Sequence, residues 1–382
     1  MAVVEWQRGP RAISGQGALD RLGVEAGRLT GRSTAVLLVA DPGVPALADR
    51  VEAQLSSAGL AVARHAEVAG DPKAEQVEAA ASLARESKAR LIIGLGGGSA
   101  LDVAKLAAAA AGGSAPVQDY ALAARPFPAG ALPVIAIPTT AGTGSEATRV
   151  AIFSRGDGAK LWAWGDELLP KVALLDPEAT VGLPPHLTAA TGVDALVHAI
   201  EAATNRNADS FSRAPALEAV RLVAGNLGRA VTRGDDLKAR GQVQLAAFLA
   251  GQAIDTAGTG VAHALGHALG TLGRVHHGRA VGLSLAVALA SNAAAAPVKH
   301  AAVARSFGLD GADAVAVAGL EGAYVTLLEE VGLDRDLSAL NLDPAALAAE
   351  AQTRENAPML ASNCRAYGGD ELLDLCRRLI AA

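Results

Sequence analysis

Cysteine is nearly missing from this 382-residue sequence, which holds only Cys364 and Cys376. Two thiols close together near the C-terminus exclude a disulfide framework and a cysteine-rich zinc site, and they fit a reducing cytoplasm. Aromatic residues are scarce too, at 3%, and the formal net charge is −6. A chain so composed has neither the basic surface nor the stacking platforms of a nucleic-acid-binding protein, so the expected partners are small molecules. Long apolar runs are also lacking: the most apolar stretch, GLSLAVALASNAAAAP, is interrupted by Ser and Asn and stops at Pro297. That falls short of the roughly 20 residues a membrane-spanning helix requires. The opening MAVVEWQRGPRAIS has no continuous apolar centre of the kind a secretory signal carries. No membrane association is expected.

Alanine, by contrast, is abundant. The hydrophobic share of 51% and the mean hydropathy of +0.28 owe much to this small helix former. The length favours two domains over one continuous core. As far as residue 180 or so, short β-rich runs (TAVLLVAD, LAVARHAEV, ARLIIGLG, LPVIAIPTT) alternate with helical patterns (PALADRVEAQLSSAG, KAEQVEAAASLARES, SALDVAKLAAAAAG). That alternation predicts βαβ units and a mainly parallel sheet. From LPPHLTAATGVDALVHAIEAAT onward only long Ala- and Leu-rich helical patterns remain, which predicts an all-helical second half beginning near Pro184 and Pro185.

Three features of the first half point to a nucleotide. GLGGGSALDVAK, Gly94 to Lys105, sits where a strand gives way to a helix. Glycines there admit a close ligand, and the helix's exposed N–H groups favour an anion such as pyrophosphate. The spacing is not GxGxxG, and a tight turn without ligand is the alternative. Asp41 ends the strand TAVLLVAD, where an acid can bind ribose hydroxyls and repel a 2′-phosphate, favouring NAD over NADP. The same residue could simply serve the turn before Pro42. PTTAGTGSEAT, Pro138 to Thr148, offers hydroxyls and amides suited to phosphate and ribose, or forms a merely solvated loop.

The second half concentrates histidine. GVAHALGHALGTLGRVHHGRAVG, Gly260 to Gly282, holds four of the eight histidines in the chain. Upstream, Asp194 and His198 lie four apart and share a helical face. Joined by His263 and His277 from other helices, they would form a set of three imidazoles and one carboxylate. Such a set suits Fe²⁺ or Zn²⁺ rather than Ca²⁺ or Mg²⁺. Taken singly, each residue could equally be a cap or a satisfied core side chain.

The motifs GGGSALDVAK, PTTAGTGSEAT, GVDALVHAIEA, HALGHALG and HHGRAVG, in this order, make the chain resemble the iron-containing, or group III, alcohol dehydrogenases of the dehydroquinate synthase-like fold. The likeness begins at RAISGQGALDRL and passes through LLPKVALLDPEAT into the helical half. It implies an α/β protein, with an N-terminal Rossmann-like, mainly parallel-sheet domain at 1–183 that binds the dinucleotide. An all-helical metal- and substrate-binding domain would follow at 184–382. Carried over by position, the metal ligands fall on Asp194, His198, His263 and His277, and His267 matches a histidine close to nicotinamide and substrate. Asp41 matches an acidic position associated with NAD preference. Gly97, Gly98, Ser99 and Asp102 match the pyrophosphate loop, and Thr139, Thr140, Thr143 and Lys160 match further cofactor contacts.

The reaction so implied is metal-dependent, reversible hydride transfer between NAD(H) and a small primary alcohol or its aldehyde, with Fe²⁺ or Zn²⁺ as Lewis acid and His267 relaying the alcohol proton. A cytoplasmic homodimer or larger homo-oligomer is expected. Asp71 departs from the family's usual Asn before Pro72, and Ala268 with TLGRVHHG replaces a Pro and an aromatic-containing segment that help shape the substrate pocket. His276 has no ligand counterpart, and a supporting or surface position is expected. Three rivals are a metal-independent reductase like maleylacetate reductase, a lyase like dehydroquinate synthase, and a non-enzymatic nucleotide-binding protein. The filled ligand positions argue against the first and third, and TTAGTGSE with HALGH argues against the second.

Overall fold

The structure is a computed structural model that describes residues 9–31, 34–68, 70, 72–155 and 160–381. Asp71, which stands where the family usually has Asn, lies outside them. The described residues gather into two compact units, one ending at Leu183 and the other beginning at Pro184.

In the first unit the strands are β1 (Arg11–Ser14), β2 (Ala35–Ala40), β3 (Ala61–His65), β4 (Ile92–Gly96), β5 (Val134–Pro138), β6 (Val150–Ser154), β7 (Lys160–Trp164) and β8 (Val172–Leu175). Six form one sheet in the order β1-β8-β5-β4-β2-β3, and every neighbouring pair is parallel. The four strands expected from the sequence are its β2, β3, β4 and β5. β6 and β7 pair separately as an antiparallel hairpin.

Helices α1 (Leu22–Thr30), α2 (Pro45–Ser57), α3 (Ala74–Glu86) and α4 (Gly98–Ala110) cover the sheet. A strand buried on both faces reads as a continuous apolar run, yet its side chains still alternate. Val36, Leu38 and Ala40 of β2 join Leu91, Ile93 and Leu95 and the apolar face of α2. Leu37 and Val39 join Ile92 and the faces of α3 and α4 on the opposite side.

The chain runs from β2 to its neighbour β3 and then returns to β4 on the other flank of β2. Strand order therefore reverses between β2 and β4, and their carboxyl ends frame the crevice where open α/β sheets bind ligands. Asp41 follows one of these ends and Gly97 the other.

The second unit is helical: α5 (Pro185–Thr204), α6 (Ser210–Thr232), α7 (Leu237–Ala257), α8 (Val261–Gly273), α9 (His277–Ala295), α10 (Pro297–Ser306), α11 (Asp313–Glu330), α12 (Pro344–Glu350), α13 (Ala357–Ser362) and α14 (Gly369–Ala381). α5 is buried nearly all round, as befits a helix packed against α6, α7 and α9. α9 contains most of the apolar stretch singled out above. By length and composition alone it could cross a membrane, but 67% of its apolar window is buried inside the protein. α5 and α9 meet closely because Gly278 has no side chain: a Cβ there would lie 2.0 Å from the Ala190 carbonyl oxygen. That approach sets His277, at the start of α9, beside Asp194 on α5.

Candidate functional site

At the switch point the sequence places backbone rather than side chains. Gly96 has φ of +148°, which L side chains rarely adopt, and turns the chain from β4 toward α4. No side chain caps the start of α4, leaving its first amides as the donors toward a ligand. A Cβ on Gly98 would lie 2.6 Å from Thr143 Cγ2, and one on Gly97 would lie 3.3 Å from Thr140 Cγ2. The glycine loop and the threonine loop therefore touch. Thr139 is tied to the same corner by its amide, which donates to the Gly96 carbonyl at 2.9 Å. Asp41 also stands there, half-buried, its Oδ1 accepting from the Gly43 amide at 2.8 Å. Ser99 lies in the first turn of α4 and Lys160 opens β7; both are half-buried.

Asp102 behaves differently from the loop residues with which the sequence grouped it. Its Oδ1 accepts from Ser145 Oγ at 2.5 Å and its Oδ2 from the Ile152 amide at 2.9 Å, so both oxygens face inward. Burial pushes its carboxyl above the usual range, and Lys105, 3.6 Å away, opposes that shift. Lys105 is wholly buried, and its three N–H donors are shared among four acceptors: the Ser145 carbonyl at 2.9 Å, Ser145 Oγ at 3.0 Å, Thr148 Oγ1 at 3.1 Å and the Val150 carbonyl. One turn of α4 thus clamps the end of the threonine loop. Glu146, on that loop, is pushed up to about 7 by burial, despite its own backbone amide and Lys105. Sequence reasoning singled out neither Lys105 nor Glu146 as a buried charge.

In the helical unit three helices converge. α5 carries Asp194 and His198, α8 carries His263 and His267, and α9 begins at His277. Asp194, His263 and His277 each aim a donor atom into one space, all within 4.8 Å of one another. Asp194 Oδ1 lies 3.7 Å from His263 Nε2, 3.5 Å from His277 Nε2 and 3.7 Å from His198 Nδ1. The His198 ring stacks on that of His263, with centroids 4.4 Å apart. His198 is thus a neighbour of the other three expected ligands, while the donor atoms that converge on one space are those of Asp194, His263 and His277. The His277 side chain is 28% exposed, whereas that of Asp194 is 2% exposed. His276, just before α9, is exposed.

The cluster fits a cation. Asp194 Oδ1 and His263 Nε2 are buried and make no hydrogen bond, and buried polar atoms without partners are rare enough to need a reason. Burial alone would raise the Asp194 carboxyl, but His198, His277 and His263 together hold it well below the usual carboxylate range. Burial would likewise lower His263, yet Glu201 and Asp194 outweigh it and raise that imidazole to about 9. Asp194 Oδ1 and His263 Nε2, 3.7 Å apart and without hydrogen-bond partners, are a pair that a divalent ion between them would satisfy.

Two supporting residues were not singled out from the sequence. Glu201 of α5 is buried against His263, with Oε2 2.6 Å from the His263 Nδ1. Its position, seven after Asp194 on the same helical face, was the available signal. Asn356 Oδ1 lies 3.1 Å from His267 Nδ1, while Asn356 Nδ2 donates to the Glu350 carbonyl at 3.0 Å and to Thr353 Oγ1 at 3.2 Å. The amide is thus oriented with its oxygen toward the ring, and His267 carries its proton on Nδ1.

Comparison with known proteins finds matches along nearly the whole chain. Residues 9–177 match the family model "Iron-containing alcohol dehydrogenase", and residues 188–380 match "Fe-containing alcohol dehydrogenase family, C-terminal". Long-chain-alcohol dehydrogenase 1 of Geobacillus thermodenitrificans is 41% identical over 273 residues, covering 70% of this chain and 68% of that protein. The crystal structure of a 1,3-propanediol oxidoreductase superposes with a TM-score of 0.91 at 30% identity, over 99% of this chain and 100% of the other. Sulfoacetaldehyde reductase from Bifidobacterium kashiwanohense, solved in complex with NAD+, gives a TM-score of 0.91 at 26% identity and covers both chains fully, at 100% each. The sheet with its glycine corner, the helical unit with its histidine cluster, and these matches place the chain in the iron-containing alcohol dehydrogenase family.

Proposed function

We propose that this alcohol and aldehyde oxidoreductase catalyses reversible hydride transfer between NAD(H) and a small primary alcohol or its aldehyde, with Asp194, His198, His263 and His277 holding Fe²⁺ or Zn²⁺. The observation that carries this reading is the buried, unbonded pair Asp194 Oδ1 and His263 Nε2, 3.7 Å apart and joined by His277 within one small space. When bound, the ion supplies Lewis acidity to the substrate oxygen. The metal-independent and non-enzymatic alternatives give no reason for such a cluster.

The chain's own groups divide the remaining work. His267, with its Nδ1 proton held against Asn356 Oδ1, presents a basic Nε2 that can take up the alcohol proton and release it. Gly97, Gly98 and Ser99 direct the first amides of α4 to the pyrophosphate, and Thr139, Thr140 and Thr143 add hydroxyls and amides beside them. Lys160 supplies a cation to the cofactor. Asp41 accepts from the ribose hydroxyls and disfavours a 2′-phosphate. Asp102, with both oxygens turned inward, serves the site by holding Ser145 and Ile152 rather than by touching phosphate. In this reading the protein acts in the cytoplasm as a homodimer or larger homo-oligomer, on soluble substrates, without nucleic acid or membrane.

The test is to purify the protein anaerobically, measure its bound metal, and follow NADH absorbance with a panel of short aldehydes. Stoichiometric iron or zinc with NADH oxidation is expected. Full metal occupancy without turnover of any aldehyde would sink the reading.

A further inference from the structure

Among the described residues the Glu201 carboxylate accepts three hydrogen bonds, all from the start of α8. Its Oε2 takes the Gly260 amide at 2.7 Å and the His263 Nδ1 proton at 2.6 Å, and its Oε1 takes the Ala262 amide at 2.7 Å. The carboxylate is buried, and the fit is close: a Cβ on Gly260 would lie 2.8 Å from Glu201 Oε1. We infer that Glu201 is a positioning residue that sets the tautomer and direction of His263, so that Nε2 presents a lone pair toward Asp194. This rests on the metal reading above.

An imidazole offers one nitrogen as acceptor only while the other keeps its proton, and the partner of that proton decides which is which. Here the partner is Glu201, three residues beyond His198 and seven beyond Asp194 on the same helix. α5 therefore contributes two expected ligands and also orients a third. The two backbone bonds fix where α8 begins, and so where the His263 ring stands. Carboxylates that orient a ligating histidine in this way typically matter ten- to a hundredfold for metal affinity.

Glu201→Gln isolates the effect. An amide has one acceptor oxygen for three donors. If that oxygen takes the place of Oε1, the amide NH₂ faces His263 Nδ1 and favours the tautomer with its proton on Nε2, which cannot ligate. If it takes the place of Oε2, the NH₂ meets the Ala262 amide and displaces the start of α8. Asn363→Ala is the control: Asn363 Oδ1 accepts from the Val261 amide at 3.2 Å, in the same helix turn, and its Nδ2 donates to Asn292 Oδ1 and the Arg365 carbonyl.

Zinc affinity would be measured on the full chain by chelator competition for wild type, E201Q and N363A. Histidine nitrogen chemical shifts of the zinc-loaded wild type would be read by NMR after selective ¹⁵N labelling. A ten- to hundredfold loss in E201Q is expected, with N363A within about twofold of wild type and His263 bound to zinc through Nε2 with Nδ1 protonated. Wild-type affinity in E201Q, an equal loss in N363A, or zinc on His263 Nδ1 would overturn the inference while leaving the metal site standing. Failure of the wild type to take up zinc or Fe²⁺ would remove both. The NMR result on the wild type decides the matter even if E201Q does not fold.

Discussion

Between β4 and α4 the groups that face the expected ligand are backbone amides, exposed because glycines keep side chains out of the way. On α5, α8 and α9 they are side-chain atoms delivered from three helices. The first arrangement depends on what is missing, since added atoms at Gly97 or Gly98 meet Thr140 or Thr143. The second depends on what is present, because each donor is unique and its neighbours are set by distances of 3.5 to 3.7 Å. The two units should therefore fail in different ways: the helical unit when an atom is taken away, and the sheet unit when one is added.

The largest effect should follow removal of the shared carboxylate. Asp194→Ala takes away the group common to all three histidine contacts. Bound iron or zinc should be lost, and kcat should fall by about 10³-fold or more, since a Lewis acid contributes several kcal/mol to the transition state. Metal analysis and NADH-linked rates would measure both. Full metal content at the wild-type rate would move the site elsewhere.

Beneath the backbone corner of the sheet unit lies a buried charge cluster, and Glu146 tests it. Its carboxyl is raised from 4.5 when free to about 7 in the folded chain. The folded state thus holds the proton more tightly than the unfolded state. This contribution to stability is complete below pH 4.5, declines as pH rises toward 7, and is level above that. Glu146→Gln should remove the decline and leave the variant more stable than wild type at pH 8 by about 3 kcal/mol. Urea unfolding across this range is the measurement, and a wild-type decline in the variant would mean that Glu146 is not held neutral.

How far these two kinds of site could be seen in the sequence follows from what each leaves there. Asp194 and His198 share a helical spacing, and the glycines of GLGGGS stand where a strand meets a helix, so both corners were visible. Glu201 lies on the same face, seven residues after Asp194, but that spacing alone does not say which residue it bonds, and its partner stands on a helix 62 residues away. Asn356 is 89 residues from His267, in a short segment with no periodicity of its own. Strands β1 and β8 have four residues each, RAIS and VALL, too few for a pattern to show. Asp102 was grouped with the cofactor loop because it matches the family's pyrophosphate-loop pattern. Its inward turn depends on Ser145 and Ile152, which only the fold brings near.

Gly98→Ala probes the claim that the sheet unit fails by addition. The new methyl would meet Thr143 Cγ2 at 2.6 Å, and overpacking of this kind costs about 2 kcal/mol. KM for NAD should rise on the order of 30-fold, with bound metal unchanged. Thr143→Ser removes the offending methyl and should restore part of the affinity in the double variant. Loss of metal in G98A, or no rescue, would break the contrast between the units.

The smallest effect is expected at Asp41, the one side chain in the backbone corner to which the specificity between NAD and NADP is assigned. Replacing it by glycine should improve use of NADP relative to NAD by about tenfold, near 1.4 kcal/mol. Asp41 also shapes its own turn, because Oδ1 accepts from the Gly43 amide at 2.8 Å. Asp41→Asn separates the two roles: its carbonyl can still take that amide, but the negative charge is gone. If charge repulsion governs the choice, D41N and D41G should shift the ratio of kcat/KM values alike. If D41G alone shifts it, the carboxylate matters only for the turn, and cofactor choice would rest on backbone shape like the rest of this corner.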